Sequence, residues 1–181
     1  MESTKLALLP GAIGRVALVS HAFARPTLVW RELERSVTEI FGQTLFTVLA
    51  YSHTTRRLCR LHSNRLDINP IGGVKRVTPS RWADHVLGRG EVFVGSNRDD
   101  IKAVFSEYEA LWSIGCESVL NIPVRHRAAT IGTLNLLGPA GIYDEADTGL
   151  ALAFGQLAAD ALGAAADQLG TLDDPSAMEY V

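Results

Sequence analysis

The runs CESVLNIPV, residues 116–124, and TIGTLNLL, residues 130–137, flank the basic turn Arg125-His126-Arg127 and decide how this chain folds. Both are apolar and rich in β-branched residues, so they read as antiparallel strands, Glu117 to Val124 and Ala129 to Leu137. Centring the turn near Ala128 pairs Val124 with Gly132 and brings Asn121 opposite Asn135 on one face of the sheet. Immediately downstream, YDEAD at 143–147 leads into an Ala-rich helix from Asp147 to Ala166, striped by Leu150, Ala153, Phe154, Leu157 and Ala161.

Working upstream, Thr27 to Gly42 is an amphipathic helix with Val29, Leu33, Val37, Ile40 and Phe41 at three- and four-residue spacing and Gly42 as its C-terminal punctuation. Thr44 to His53 and Arg57 to Ser63 switch to strand residues around a polar turn, which predicts a hairpin. Arg65 to Pro79 carries Asn69-Pro70 and Gly72-Gly73 and reads as a covering loop, with a short edge strand at Gly73 to Val77. A short helix from Ser80 to Leu87, a strand at Val92 to Val94 and a helix from Asp99 to about Ile114 fill the middle. The expected fold class is α+β: a central antiparallel sheet of about six strands, N- and C-terminal helices packed together on one side, shorter helices and a loop covering the other. Residues 1–26 form an N-terminal helical extension with a helix from about Ala12 to Ala24, residues 27–166 the domain, and residues 167–181 a mobile acidic tail.

A chain of 181 residues, 47% apolar and 20% charged, has the composition of one folded domain. No apolar run reaches the ~18 residues of a membrane span. The small-x-small triplet Ala22-Phe23-Ala24 imitates a signal cleavage site, but Pro10, Gly11, Gly14 and Arg15 interrupt the preceding apolar stretch, so a cytoplasmic helix is the reading. Cys59 and Cys116, far apart and without further cysteines, are expected as reduced, buried thiols. From Thr54 to Arg98 nine Lys or Arg face three acids, while the whole chain carries −3. That excess creates a field that attracts an anionic ligand, or it is a solvated arginine-rich edge. His21, His53, His62, His85 and His126 lie on five different elements without a ligand spacing, so no metal is expected. Gly72-Gly73 lacks the Lys and following helix of a phosphate loop, and no cofactor motif is present.

The strand pair with Pro123 and Gly132 as fixed points, followed by Tyr143-Asp144-Glu145-Ala146-Asp147 and the final helix, resembles the closing part of a GAF domain. The resemblance spans roughly Thr27 to Ala166. It implies a sheet-and-helix sensor module that binds a small molecule, or pairs with its own copy, and passes its state to an effector; none is recognisable in this sequence. Cyclic-nucleotide-binding members carry Asn-Lys, Phe and Asp-Glu where this chain has Gly138-Pro139, Tyr143 and Asp147-Thr148. Bilin-binding members have a Cys followed by His, which neither cysteine here has. Free-methionine-sulfoxide reductases place a nucleophilic Cys near the position of Cys116, but their further cysteines fall around Val77 to Gly90, where this chain has none.

Three readings follow. In the first, a small molecule, anionic if the basic segment selects it, sits above Asn121 and Asn135, walled by Trp82, Tyr108 and Trp112 and approached by Arg65, Lys75, Arg76 or Arg81 from that segment; this predicts a concave pocket under the covering loop. In the second, Cys116 is the thiol of a free methionine-(R)-sulfoxide reductase, a role that demands a thiolate and a resolving thiol. In the third, the chain is a ligand-free module that forms a homodimer through its terminal helices, where the small residues Ala153, Ala158, Ala161, Ala164 and Ala165 of the final helix permit close approach. A separate effector protein is the expected partner in the sensor reading, and neither membrane nor nucleic acid is.

Overall fold

In a computed structural model, which describes residues 3–22, 25–170 and 179–180, the strands join one open sheet in the order β4-β5-β6-β1-β2-β3-β7. The strands are β1 (Leu45–Ser52), β2 (Arg57–Ser63), β3 (Val74–Arg76), β4 (Phe93–Gly95), β5 (Ser118–His126), β6 (Ala129–Gly138) and β7 (Glu179–Tyr180). Six of them pair antiparallel, and β7 adds a two-residue parallel rung to β3. Val124 lies opposite Gly132 and Asn121 opposite Asn135, the register that the turn position implied. Arg127 and Ala128 turn the corner at φ 48° and 67°. Pro123 lies past the last rung between β4 and β5, which ends at Asn121, so the missing amide falls outside that ladder.

Side-chain alternation gives the sheet two apolar faces. Phe46, Val48, Ala50, Leu120, Ile122, Val124, Leu134 and Leu136 face a layer of four helices: α1 (Ser3–His21), α2 (Pro26–Phe41), α5 (Thr148–Leu157) and α6 (Ala159–Gly170). Every apolar position expected of α2 is buried, and Gly42 closes it at φ 76°. Helix α1 begins earlier than expected, at Ser3, and runs through Pro10. Its Ala12 and Val16 are fully buried, Ser36 Oγ donates to Ala12 O at 3.2 Å, and Arg15 Nε meets Glu32 at 2.7 Å.

The opposite face carries Leu45, Thr47, Leu49, Asn121, Asn135 and Leu137 beneath a shorter cover: the 65–73 loop, a π-helix (Ala83–Arg89), α3 (Arg98–Val104) and α4 (Tyr108–Ser113). Two expected helices are each broken in two. Asp99 to Ile114 divides because Phe105 is extended (φ −112°, ψ 124°), which frees Glu107 to reach Lys75. Asp147 to Ala166 bends by 66° after Leu157 and continues past Ala166 to Gly170. Sterics explain the bend. A Cβ on Gly155 would sit 3.0 Å from Ile122 Cγ2, so α5 lies directly on β5, and the turn then carries Leu162 of α6 over Gly132, where a Cβ would strike Leu49 O at 2.2 Å. The buried stripe is consequently Ala151, Phe154, Ala158, Leu162 and Leu169, and Ala153 faces outward. Among the described residues no single helix is long and apolar enough to cross a membrane.

Candidate functional site

Between the sheet and its shorter cover lies a cavity of about 50 Å3, the room of roughly three or four water molecules. Leu45, Leu49, Leu58, Leu111 and Leu137 make it largely apolar; Thr47 and Asn135 contribute its polar floor, and Arg60, Lys75 and Glu107 line one side. Trp82, Val104 and Phe105 separate it from an open cleft of about 860 Å3 between the π-helix and α3.

The floor belongs to a chain of buried hydrogen bonds that crosses three strands. Trp82 Nε1 donates to Asn121 Oδ1 at 2.9 Å, Asn121 Nδ2 to Asn135 Oδ1 at 2.7 Å, and Asn135 Nδ2 to Thr47 Oγ1 at 3.1 Å. Asn121 is wholly buried, Asn135 is 3% exposed and Thr47 5%. Each amide arises from the same strand geometry: a polar residue at the pocket-facing parity of an otherwise apolar strand must find its partners sideways, across the rungs. An indole N–H donates and never accepts, so Trp82 fixes the orientation of Asn121, Asn121 that of Asn135, and Asn135 makes Thr47 an acceptor.

The charged side of the cavity is an ion pair. Lys75 Nζ lies 2.9 Å from Glu107 Oε1, with side chains 16% and 29% exposed. Burial by itself would raise the Glu107 pKa, but the bonds from Lys75 outweigh it with help from the Glu107 amide and Ser106, and the carboxyl ends below the usual glutamate range. Arg60 Nη1 donates to Pro70 O at 3.1 Å, which ties the covering loop to β2.

Of the residues singled out in the sequence, Trp82, Asn121 and Asn135 come together. Tyr108 and Trp112 pack against each other with ring centroids 4.7 Å apart and planes tilted by 56°, beneath Lys102 and Arg98, because the break at Phe105 turns Leu111 of α4 toward the cavity in their stead. Tyr108 borders the outer cleft. Arg65 is held outside by a two-point pair with Asp67 at 2.9 and 2.7 Å. Arg76 is exposed because alternation along β3 gives the inward position to Lys75, and Arg81, also exposed, borders the outer cleft. The basic segment is not one patch: Arg89 pairs with Asp84 and Glu91, and Arg98 with Glu117. Thr47, Arg60 and Glu107 went unpredicted. For Arg60 the signal was its alternation with Leu58 along β2.

Cys116 is fully buried among Leu45, Ile101, Leu111, Val119 and Leu137, and burial pushes its thiol up to about 11. Cys59 belongs to the opposite face, and burial raises its pKa too. Among the described residues no three His, Cys, Asp or Glu side chains are placed to hold a metal ion.

No protein-family model matches the sequence, and no curated protein does. Solved structures do match in shape. The GAF domain of a phosphoenolpyruvate-protein phosphotransferase from Acinetobacter shares 15% identity, with 96% of this chain and 100% of that one covered at a TM-score of 0.67. The A. aeolicus nlh2 GAF domain, crystallised in an inactive state, shares 10% over 89% of this chain and 99% of its own at 0.65. Free methionine-R-sulfoxide reductase from Neisseria meningitidis, in complex with its substrate, shares 13% over 93% and 96% at 0.61. At these identities the likeness establishes the fold alone: this chain has the GAF fold.

Proposed function

From the GAF fold as premise, we propose that this domain is a sensor that binds a small molecule in the cavity above Asn135 and Thr47 and passes its occupancy to a separate protein. The observation that carries the reading is the cavity itself. Protein interiors are packed as densely as organic crystals, yet here an apolar hollow with a hydrogen-bonding floor is kept between the sheet and a cover of short, broken helices. The adjoining cleft offers an entry past Val104 and Phe105, the residues where the cover is least regular.

The homodimer belongs to the same proposal: a second copy pairs through the terminal helices and carries the signal outward. Exposed Leu18 on α1 and Leu152 on α5, 70% and 40% accessible, support it as apolar contacts. A reducing, cytoplasmic setting suits two free thiols on opposite faces. The thiol-reductase reading has less support, since the thiolate it requires is disfavoured at Cys116 and Cys59 lies across the sheet.

The test is a thermal-shift screen with nucleotides, amino acids and organic acids on the wild type and on Leu111→Trp, a variant that fills the cavity from α4. A ligand that binds only the folded state raises its melting temperature. We expect at least one compound to stabilise the wild type and leave the filled variant unmoved. Equal responses in both proteins, or none in either, would overturn the reading.

A further inference from the structure

We propose that Trp82 is a gate between the cavity and the outer cleft, and that the ligand which opens it is a planar heterocycle whose ring N–H takes the place of the indole on Asn121. The proposal rests on the sensor reading and starts from a mismatch of size. Ligand pockets measure roughly 300–1,000 Å3, whereas the closed cavity holds about 50 Å3 and the adjoining cleft about 860 Å3. The two joined offer the room and the polar floor together.

The partition between them is thin. Trp82, Val104 and Phe105 line both spaces, and Trp82 is the largest of the three. It is 9% exposed, with Nε1 bonded to Asn121 Oδ1 at 2.9 Å. The backbone that carries the partition is irregular on both sides. Trp82 immediately precedes the π-helix, a rare form that concentrates at functional sites, and Phe105 is extended at the break between α3 and α4. Short elements of this kind open at lower cost than the sheet beneath them. An indole turned into the cleft finds room there and joins the cleft to the cavity.

Asn121 decides what opens the gate. Its Oδ1 is wholly buried, and a buried acceptor stripped of its donor is costly, so the indole stays in place until another donor arrives. Asn121 Nδ2 is already committed to Asn135 Oδ1, and Asn135 Nδ2 to Thr47 Oγ1. A ligand N–H at Asn121 Oδ1 leaves these three side chains as they are. A ligand that only accepts requires both amides and the Thr47 hydroxyl to turn round. The slot that the indole vacates is bounded by its packing partners Leu49, Leu58 and Val104, which selects a flat, largely apolar ring over a flexible polar chain.

The experiment follows the side-chain indole N–H signals of 15N-labelled protein during titration with indole, 1-methylindole and benzofuran; the last two have nearly the shape of the first and cannot donate. Indole is expected to bind with a Kd of about 1 mM or tighter. The Trp82 N–H should shift, and its exchange with water should accelerate at least about tenfold as it leaves Asn121. 1-Methylindole and benzofuran bind at least about fivefold more weakly, since they leave the Asn121 oxygen unmatched. In Trp82→Phe the ring stays but its bond is gone, so indole, followed by calorimetry, binds at least about fivefold more tightly than to the wild type. Benzofuran that binds as tightly as indole, or an unchanged affinity in Trp82→Phe, would overturn the proposal. So would a Trp82 N–H that shifts on binding but keeps its slow exchange: the ligand then enters with the gate shut, and the sensor reading stands. Failure of indole to bind, while other compounds stabilise the wild type and not Leu111→Trp, would likewise sink the gate and spare the sensor.

Discussion

Replacing Asn121 with Ala removes the middle of the buried chain and strips two partners at once. Trp82 Nε1, bonded at 2.9 Å, loses its acceptor, and Asn135 Oδ1, bonded at 2.7 Å, loses its donor. Each orphaned buried group costs about 1–3 kcal/mol, so the variant is destabilised by about 3–5 kcal/mol. For a chain of this size that lowers the melting temperature by roughly ten degrees or more. Thr47→Val removes only the terminal acceptor and costs about 1 kcal/mol. The two effects are coupled: without Asn121 the Asn135 amide is no longer held in one orientation, so Thr47→Val costs less in the Asn121→Ala background, with an interaction of at least about 0.5 kcal/mol. Urea denaturation of the wild type, both single variants and the double variant measures all four terms, provided the dependence on denaturant is unchanged. An Asn121→Ala cost below about 1 kcal/mol, or strict additivity with Thr47→Val, would refute a dry and directional chain.

Three further outcomes follow from the same geometry. Gly132→Ala drives a methyl into Leu49 O, 2.2 Å from the ideal Cβ, and into Leu162 at 3.0 Å, so we expect a loss of about 3 kcal/mol or more and a loosened α6, readable by hydrogen exchange; a wild-type melting temperature would contradict that packing. Because the Glu107 pKa is lowered in the folded state, the Lys75–Glu107 pair stabilises the protein above the unfolded glutamate value of about 4.3 and loses that contribution as pH falls through the lower folded value. Glu107→Gln should thus flatten the acid limb of stability against pH, and an unchanged limb would dismiss the pair as a contributor. With its thiol held up to about 11, Cys116 should react with iodoacetamide at pH 8 far more slowly than after unfolding, and Cys116→Ser should leave any free methionine sulfoxide reduction unchanged. Rapid native alkylation, or an activity lost with that sulfur, would revive the thiol reading.

Most of the architecture was legible because its determinants are local. The Val124–Gly132 register followed from turn position and strand period, and α2 from five apolar residues at helical spacing. The Asn121–Asn135 pair followed from the same register, and the structure adds that both are buried and bonded. What was not legible depends on long-range fit. The breaks at Phe105 and Ala158 occur within helical patterns of good periodicity, and only the approach of β5 to Gly155 and of Glu107 to Lys75 explains them. Position in the basic segment alone does not tell which cations reach the site: inward orientation on β2 and β3 is set by alternation, which selects Arg60 and Lys75 and turns Arg76 out. Thr47 gave no signal of its own: a threonine in a strand is ordinary until its neighbour across the rung is an asparagine.

The most direct measurement of a ligand in this cavity is the indole N–H spectrum of 15N-labelled protein during titration with a compound that stabilises the wild type in the thermal-shift screen. The chain has three tryptophans, and Trp82→Phe identifies the Trp82 resonance. Since Trp82 begins the chain that ends on the cavity floor at Thr47, occupancy should shift its resonance saturably and leave that of Trp30, buried in the helical layer, in place. The same shift should be absent in Leu111→Trp. A Trp82 resonance that stays fixed while such a compound saturates its stabilising effect, or that moves equally in the filled variant, would contradict the sensor reading.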